Sequence, residues 1–195
     1  MVSSGTSTHD ILSGDSLSGD KLIRAAQQGD KQAFAQLLSG SYDSIFRFAY
    51  RWCGNRSDAE DITQQACIKL AQSIGQFRFE AAFSSWLYRL VINCAKDWQR
   101  SQNRHQHDDL ETVDVTHTDP SAETGIYLRQ ILAWLDSLAE GFKETALLVH
   151  AEGLTHAEAA SILQIKESTV SWRLHEIRKQ LQHLQQGDGS WEVSL

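Results

Sequence analysis

The chain has 195 residues, of which 41% are hydrophobic, 22% charged and 9% aromatic, enough for one domain or two small ones. This composition excludes wholesale disorder, collagen-like repeats and a disulfide-built miniprotein. A net charge of −7 argues against general attraction to polyanions, so any nucleic-acid contact must come from local patches.

Residues 1–19 are rich in Ser, Gly and Asp and offer little to bury, which predicts a disordered leader without the basic and apolar segments of a signal peptide. From Asp20 the apolar spacing turns helical: Leu22, Ile23 and Ala26, an interruption at Gly29-Asp30, then Ala33, Phe34, Leu37 and Leu38. A longer stripe follows at Ile45, Phe46, Ala49, Tyr50 and Cys53, and Gly54-Asn55 ends it with residues that tolerate positive φ. Ser57 or Asp58 is the expected cap of the next helix, with Ile62, Ala66 and Leu70 on its inner face. The aromatic segment QFRFEAAF leads to a cap at Ser84 or Ser85 and a helix from Trp86 past Trp98.

After Arg104 the character changes. Residues 107–124 hold six carboxylates and no Lys or Arg, and the chain's one proline, Pro120, lies among them. Average usage gives roughly ten prolines in such a chain, so the scarcity itself predicts helix, and this stretch reads as an acidic linker. Helical periodicity resumes near Ile126 and runs to about Leu184, followed by a frayed tail. The expected fold is all-α: a helical domain over 20–106, a linker over 107–124, a second helical domain over 125–184 and a tail over 185–195.

The strongest local pattern is GLTHAEAASILQIKESTVSWRLHEIRKQL, residues 153–181. Thr155 and Glu158 have the spacing of a capping box, Ala159, Ala160 and Leu163 supply an inner face, and Gln164-Ile165-Lys166 forms a turn. A second helix from about Ser168 repeats Val170, Leu174, Ile177 and Leu181 at helical spacing. This is the layout of a helix-turn-helix, whose second helix can enter a DNA major groove with Ser171, Trp172, His175, Arg178 and Lys179 outward. An ordinary antiparallel helix pair has the same spacing. In the first domain, aromatic and basic residues interleave between Phe77 and Arg104, so a cation can neutralise phosphate while an aromatic ring stacks on an unpaired base. Phe83, Trp86 and Leu87 read as core, and Phe77 and Phe79 as the stacking candidates.

No nucleotide-binding, zinc-protease or nucleophile-elbow motif occurs. Cys53, Cys67 and Cys94 lack metal-like spacing and suit small buried residues in a reducing compartment. His105, His107 and His117 sit near carboxylates in the linker and read as solvated rather than as ligands. The expectation is a cytoplasmic protein with no catalytic site, metal, cofactor or inserted membrane segment.

Taken together, DKQAFAQLL (30–38), DAEDITQQACIKL (58–70), FRFEAAFSSWLYRLVINCAKDW (77–98) and the helix-turn-helix (153–181) closely resemble, in order, the extracytoplasmic-function sigma factors of bacterial RNA polymerase. The resemblance spans about residues 20–184. It implies that Asp58, Asp61, Gln64 and Gln65 dock on the clamp helices of the largest polymerase subunit. It further implies that Phe77, Phe79, Asn93, Lys96 and Arg100 capture the melted non-template strand of the −10 element. The helix carrying Ser168, Ser171, Trp172, Arg173, His175, Arg178 and Lys179 would read the −35 duplex. Ser171 and Glu176 stand where the family is often basic, and Trp172 where it is often small; the family's proline after the leucine is replaced by Ala139, following Leu138. The resemblance also implies an anti-sigma partner and association with the nucleoid when polymerase-bound. The competing reading is a conventional helix-turn-helix regulator that binds duplex DNA without polymerase.

Overall fold

The computed structural model describes residues 17–108 and 122–187, and every regular element among them is helical. Helix α1 (Leu17–Gln27) begins before Asp20 and buries Ile23 and Ala26. Gly29, at φ +90°, lets the chain reverse. Asp30 then caps α2 (Lys31–Cys53), its carboxylate accepting from the amides of Gln32 and Ala33 at 2.9 and 3.1 Å; these are donors a helix start otherwise leaves unpaired. The buried stripe of α2 is Ala33, Leu37, Ile45, Phe48, Ala49 and Trp52. The expected stripe through Phe46 and Tyr50 is therefore displaced: Tyr50 is exposed and Phe48 fully enclosed. Both sets have helical period, and contact with α1, α3 and α4 selects the second.

Gly54 ends α2 in the left-handed region at φ +75°. Asn55 is extended rather than left-handed, and it caps α3 (Arg56–Ser73), displacing the expected Ser57 or Asp58. Ala59, Ile62, Ala66 and Leu70 are completely buried, as the spacing predicts. A single 3-10 turn (Ile74–Gln76) and a short non-helical segment lead to α4 (Phe83–Asp108). No serine caps α4; the amide of Trp86 donates to the carbonyl of Ala82 at 3.2 Å, so the helix starts three residues early. Phe83, Leu87, Val91 and Ala95 form its inner face.

The N-terminal end of α5 (Ala122–Ser137) is already helical, as is Asp108, so both margins of the expected linker belong to helices. Residues 109–121, the leader through Ser16 and the tail from Asp188 lie outside the described residues, as do the side chains of His105 and His107. The chain divides into two compact units between Leu132 and Ala133. In the second, α6 (Phe142–Ala146) continues into a π-helical turn (Leu147–Ala151), closed by the amide of Glu152 on the carbonyl of Leu147 at 2.9 Å. Lys143 is buried, and its ammonium donates to both carboxylate oxygens of Asp136 at 2.8 Å. Helices α7 (His156–Leu163) and α8 (Glu167–Gly187) pack on each other and on α6. The sharp turn between them is Gln164 at φ +56°.

Candidate nucleic-acid interface

On α3, Asp61, Gln64 and Gln65 are exposed and share one side of the helix. Asp58 behaves differently from the expectation. The side-chain oxygen of Asn55 accepts from its amide at 2.9 Å, and the Asn55 amide group donates to its carboxylate. Asp58 thus closes the helix start and is half-buried, leaving Asp61 as the freely presented carboxylate of the expected four. Ile68, seven residues beyond Asp61, is 46% exposed and lies on the same stripe, out of step with the buried Ile62, Ala66 and Leu70. That mismatch was the available sequence signal. Arg56 and Glu60 pair at 2.8 Å but stand in solvent, where screening leaves such pairs little stabilising effect.

The segment after the 3-10 turn is anchored from several directions. Phe77 is only 5% exposed, and its ring meets those of Phe79, Phe83 and Trp86 at centroid distances of 4.7, 5.5 and 5.6 Å. The expectation that Phe77 presents a free face for stacking is corrected: it is the hub of an aromatic cluster. Phe79 is half-buried, sits at φ +59°, and carries the Arg24 guanidinium 3.9 Å above its ring. A bulky residue in the left-handed region costs about 1–3 kcal/mol and persists only when its surroundings fix it. Among those surroundings is Gln27, whose side-chain amide donates to the carbonyls of Ile74 and Phe77 at 2.9 and 2.7 Å. Arg24 and Gln27 formed no part of the sequence expectation.

Along α4, Asn93, Lys96 and Arg100 recur at three- and four-residue spacing and so share a face. Asn93 and Arg100 are exposed; Lys96 is half-buried. Arg100 makes a 3.2 Å contact with Asp97, both side chains largely in solvent. The neighbouring Cys94 faces inward, and burial pushes its thiol and that of Cys67 on α3 upward, away from the reactive thiolate.

In the second unit the capping box forms as expected: the Thr155 hydroxyl accepts from the Glu158 amide at 3.2 Å, and the Glu158 carboxylate accepts from the Thr155 amide at 2.8 Å. The Thr155 hydroxyl also donates to the Glu158 carboxylate at 2.7 Å, and this bond, followed by the one from the Thr155 amide, lowers the Glu158 pKa. Val170, Leu174 and Ile177 hold α8 against the core, whereas Leu181 is 40% exposed and leaves the expected stripe. Ser168, Ser171, Trp172, His175, Arg178 and Lys179 all face solvent. Trp172 projects with its ring edge-to-face on Phe142 at 5.6 Å. The Ser171 hydroxyl donates to the Glu167 carbonyl at 3.2 Å and lies 2.9 Å from Nδ1 of His156, so His156 adjoins the outer face of α8. Arg173 does not belong to that face. It turns inward, donating to the Gly141 carbonyl at 3.2 Å, with the Thr145 hydroxyl at 3.4 Å.

Two family matches coincide with these surfaces. Residues 38–105 match Sigma-70 region 2, which takes in most of α2, α3 and most of α4, and residues 128–181 match Sigma-70, region 4, which takes in the helix-turn-helix. The ECF RNA polymerase sigma-E factor of Haemophilus influenzae is 31% identical over 182 residues, 87% of this chain and 96% of the relative. The chain belongs to the ECF sigma factors. SigW of Bacillus subtilis is 29% identical over 181 residues, covering 84% of this sigma factor and 97% of SigW. The structure of CnrH in complex with the cytosolic domain of CnrY matches the fold with a TM-score of 0.63 at 21% identity, over 86% of this chain and 97% of that one. RpoE of Bartonella quintana, solved with the anti-sigma factor NepR, matches at 0.59 and 23% identity, over 80% and 98%.

Membership makes the chain an RNA polymerase sigma factor acting in transcription initiation, not a stand-alone duplex-binding regulator. Sigma factors are in general non-enzymatic regulators of that step. Among the described residues no cluster of His, Cys, Asp and Glu is arranged to hold a metal, and no helix is long and apolar enough to cross a membrane.

Proposed function

We propose that this sigma factor divides promoter recognition among three of its surfaces. Helix α3 docks on the clamp helices of the largest polymerase subunit through Asp61, Gln64 and Gln65, with Ile68 as the apolar contact that a polar stripe alone lacks. Asp58 supports that surface by closing the helix start. The segment from Phe77 to Ala82 and the Asn93–Lys96–Arg100 face of α4 take the non-template strand of the −10 element. There Phe79 supplies an aromatic face, Asn93 an amide that both donates and accepts, and Lys96 and Arg100 phosphate contacts. Helix α8 reads the −35 duplex with Ser168, Ser171, Trp172, His175, Arg178 and Lys179, and Arg173 fixes the helix from behind.

Strand opening in this mechanism needs no hydrolysis. A surface that binds the unpaired strand more tightly than the duplex shifts the equilibrium toward melted DNA by its differential affinity, and unstacking a single base costs only a few kcal/mol. The protein therefore works without a catalytic site, in the cytoplasm and on the nucleoid when carried by polymerase. CnrH was solved with the cytosolic domain of CnrY, and RpoE with the anti-sigma factor NepR, which supports an anti-sigma partner here too. The observation that carries the proposal is the exposure of Asp61, Asn93 and the outer α8 residues on helices inside the two matched regions. The test is transcription and permanganate footprinting with core polymerase on a genomic promoter library. Asp61→Lys is expected to weaken core binding about tenfold with helical content intact. Asn93→Ala should reduce thymine reactivity in the −10 region while core binding holds. A wild-type protein that initiates on no promoter overturns the reading.

A further inference from the structure

We infer that α1 is a positioning element for the −10 segment, with Gln27 and Arg24 as its two working side chains. The inference rests on the proposed role of that segment. Helix α1 lies ahead of the matched Sigma-70 region 2, which begins at residue 38. Its inner face, Ile23 and Ala26, is buried on the core. Gln27 and Arg24 lie three residues apart on one edge, and both reach into residues 74–79. The amide group of Gln27 has two hydrogens, and both are used on main-chain oxygens, Ile74 at 2.9 Å and Phe77 at 2.7 Å. These bonds contact backbone alone, so they fix the shape of the segment whatever its side chains. The carbonyl of Ile74 also accepts from the amide of Phe77 at 3.1 Å, so Gln27 binds the point where the 3-10 turn closes. Two residues on, Arg24 sits 3.9 Å over the ring of Phe79, whose φ of +59° is a conformation such a residue leaves unless held. One helix edge thus clamps the entry of the segment and its strained residue together. A loop already held in its binding form loses less freedom when a base arrives, and affinity rises accordingly.

The test uses the full chain, alone and bound to core polymerase, with Gln27→Met (similar length, no donor) and Arg24→Gln (an exposed change). Trypsin cleavage after the exposed Arg78 reports the order of the segment without DNA. It should rise about tenfold in Gln27→Met while circular dichroism and core affinity stay at wild-type values. DNA capture is read with single strands selected from a randomised pool on the wild-type holoenzyme. Affinity for them should fall about tenfold in Gln27→Met and about threefold in Arg24→Gln, with binding to duplex −35 DNA unchanged. An unchanged cleavage rate overturns the clamp. Faster cleavage with undiminished capture overturns its role in recognition. A wild-type holoenzyme that selects no single strand removes the underlying −10 reading, a result distinct from both.

Discussion

Among the described residues, two bends place a non-glycine residue in the left-handed region, Phe79 at φ +59° and Gln164 at φ +56°, and they are stabilised by opposite means. Gln164 is held by its own helix: its amide and that of Ile165 both return to the carbonyl of Ala160, the usual way an α-helix closes its last turn. Phe79 is held from a distance, with Arg24 above its ring and Gln27 on the backbone two residues earlier. A locally closed bend draws its shape from residues near it in sequence. A bend closed by distant contacts has a shape that depends on other elements, and that dependence suits a segment required to receive a displaced base. The second unit contains a long-range bend as well, at Gly141, where Arg173 reaches the carbonyl from 32 positions away.

The contrast breaks first at Phe77. Because it joins three aromatic neighbours and is buried, Phe77→Ala should cost about 3–5 kcal/mol, read as a lower urea midpoint for the N-terminal unit. A loss under 1 kcal/mol would mean that the cluster does not hold the bend. Next is Gly141. At φ +91° a β-carbon is strained in any case, and here it would collide with the Arg173 guanidinium. Gly141→Ala should therefore destabilise the second unit by about 3 kcal/mol, combining backbone strain with a displaced charged hydrogen bond. Arg173→Ala relieves the collision, so the double variant should recover part of that loss; strictly additive losses would deny the contact. At the local bend the sign reverses. Gln164→Gly removes a β-carbon from a left-handed position and should stabilise by about 1 kcal/mol, seen as a higher melting temperature. Phe79→Gly removes the same strain but also the ring beneath Arg24, and should give no such gain.

These contrasts also explain which features were readable in the sequence. The all-α class, the α3 inner face and the helix-turn-helix follow from period and caps, which act within a few residues. Thr155 and Glu158 close a box three residues apart, and nothing remote competes with it. Asn55, Ser57 and Asp58 are good caps within four positions, and backbone conformation decided for Asn55. In α2, aromatics populate two helical faces, so only packing against α1, α3 and α4 could choose Phe48 and Trp52 over Phe46 and Tyr50. Phe77 and Arg173 had functional explanations in sequence, but their partners lie elsewhere in the chain: a ring cluster for one, a main-chain carbonyl for the other. Gln27 was invisible for the same reason, since its acceptors are backbone oxygens 47 and 50 positions away. Its role has no side-chain signature at the receiving end.

The smallest expected effect tests the local side of the comparison by pH. The contacts from Thr155 hold the Glu158 carboxyl below its ordinary pKa of 4.5. A depressed folded-state pKa contributes stability that is complete above the unfolded value and disappears as pH falls through the folded one. Glu158 is exposed, so screening keeps the contribution to a few tenths of a kcal/mol. Glu158→Gln can still accept from the Thr155 amide, but it cannot titrate. Melting temperatures of the two proteins should therefore differ slightly between pH 6 and 7 and converge as the pH approaches 3. A gap that instead widens on acidification would show that the box does not depend on the ionised carboxylate, and the turn into α7 would then owe its order to the packing of Ala159 and Ala160 rather than to contacts within one helical turn.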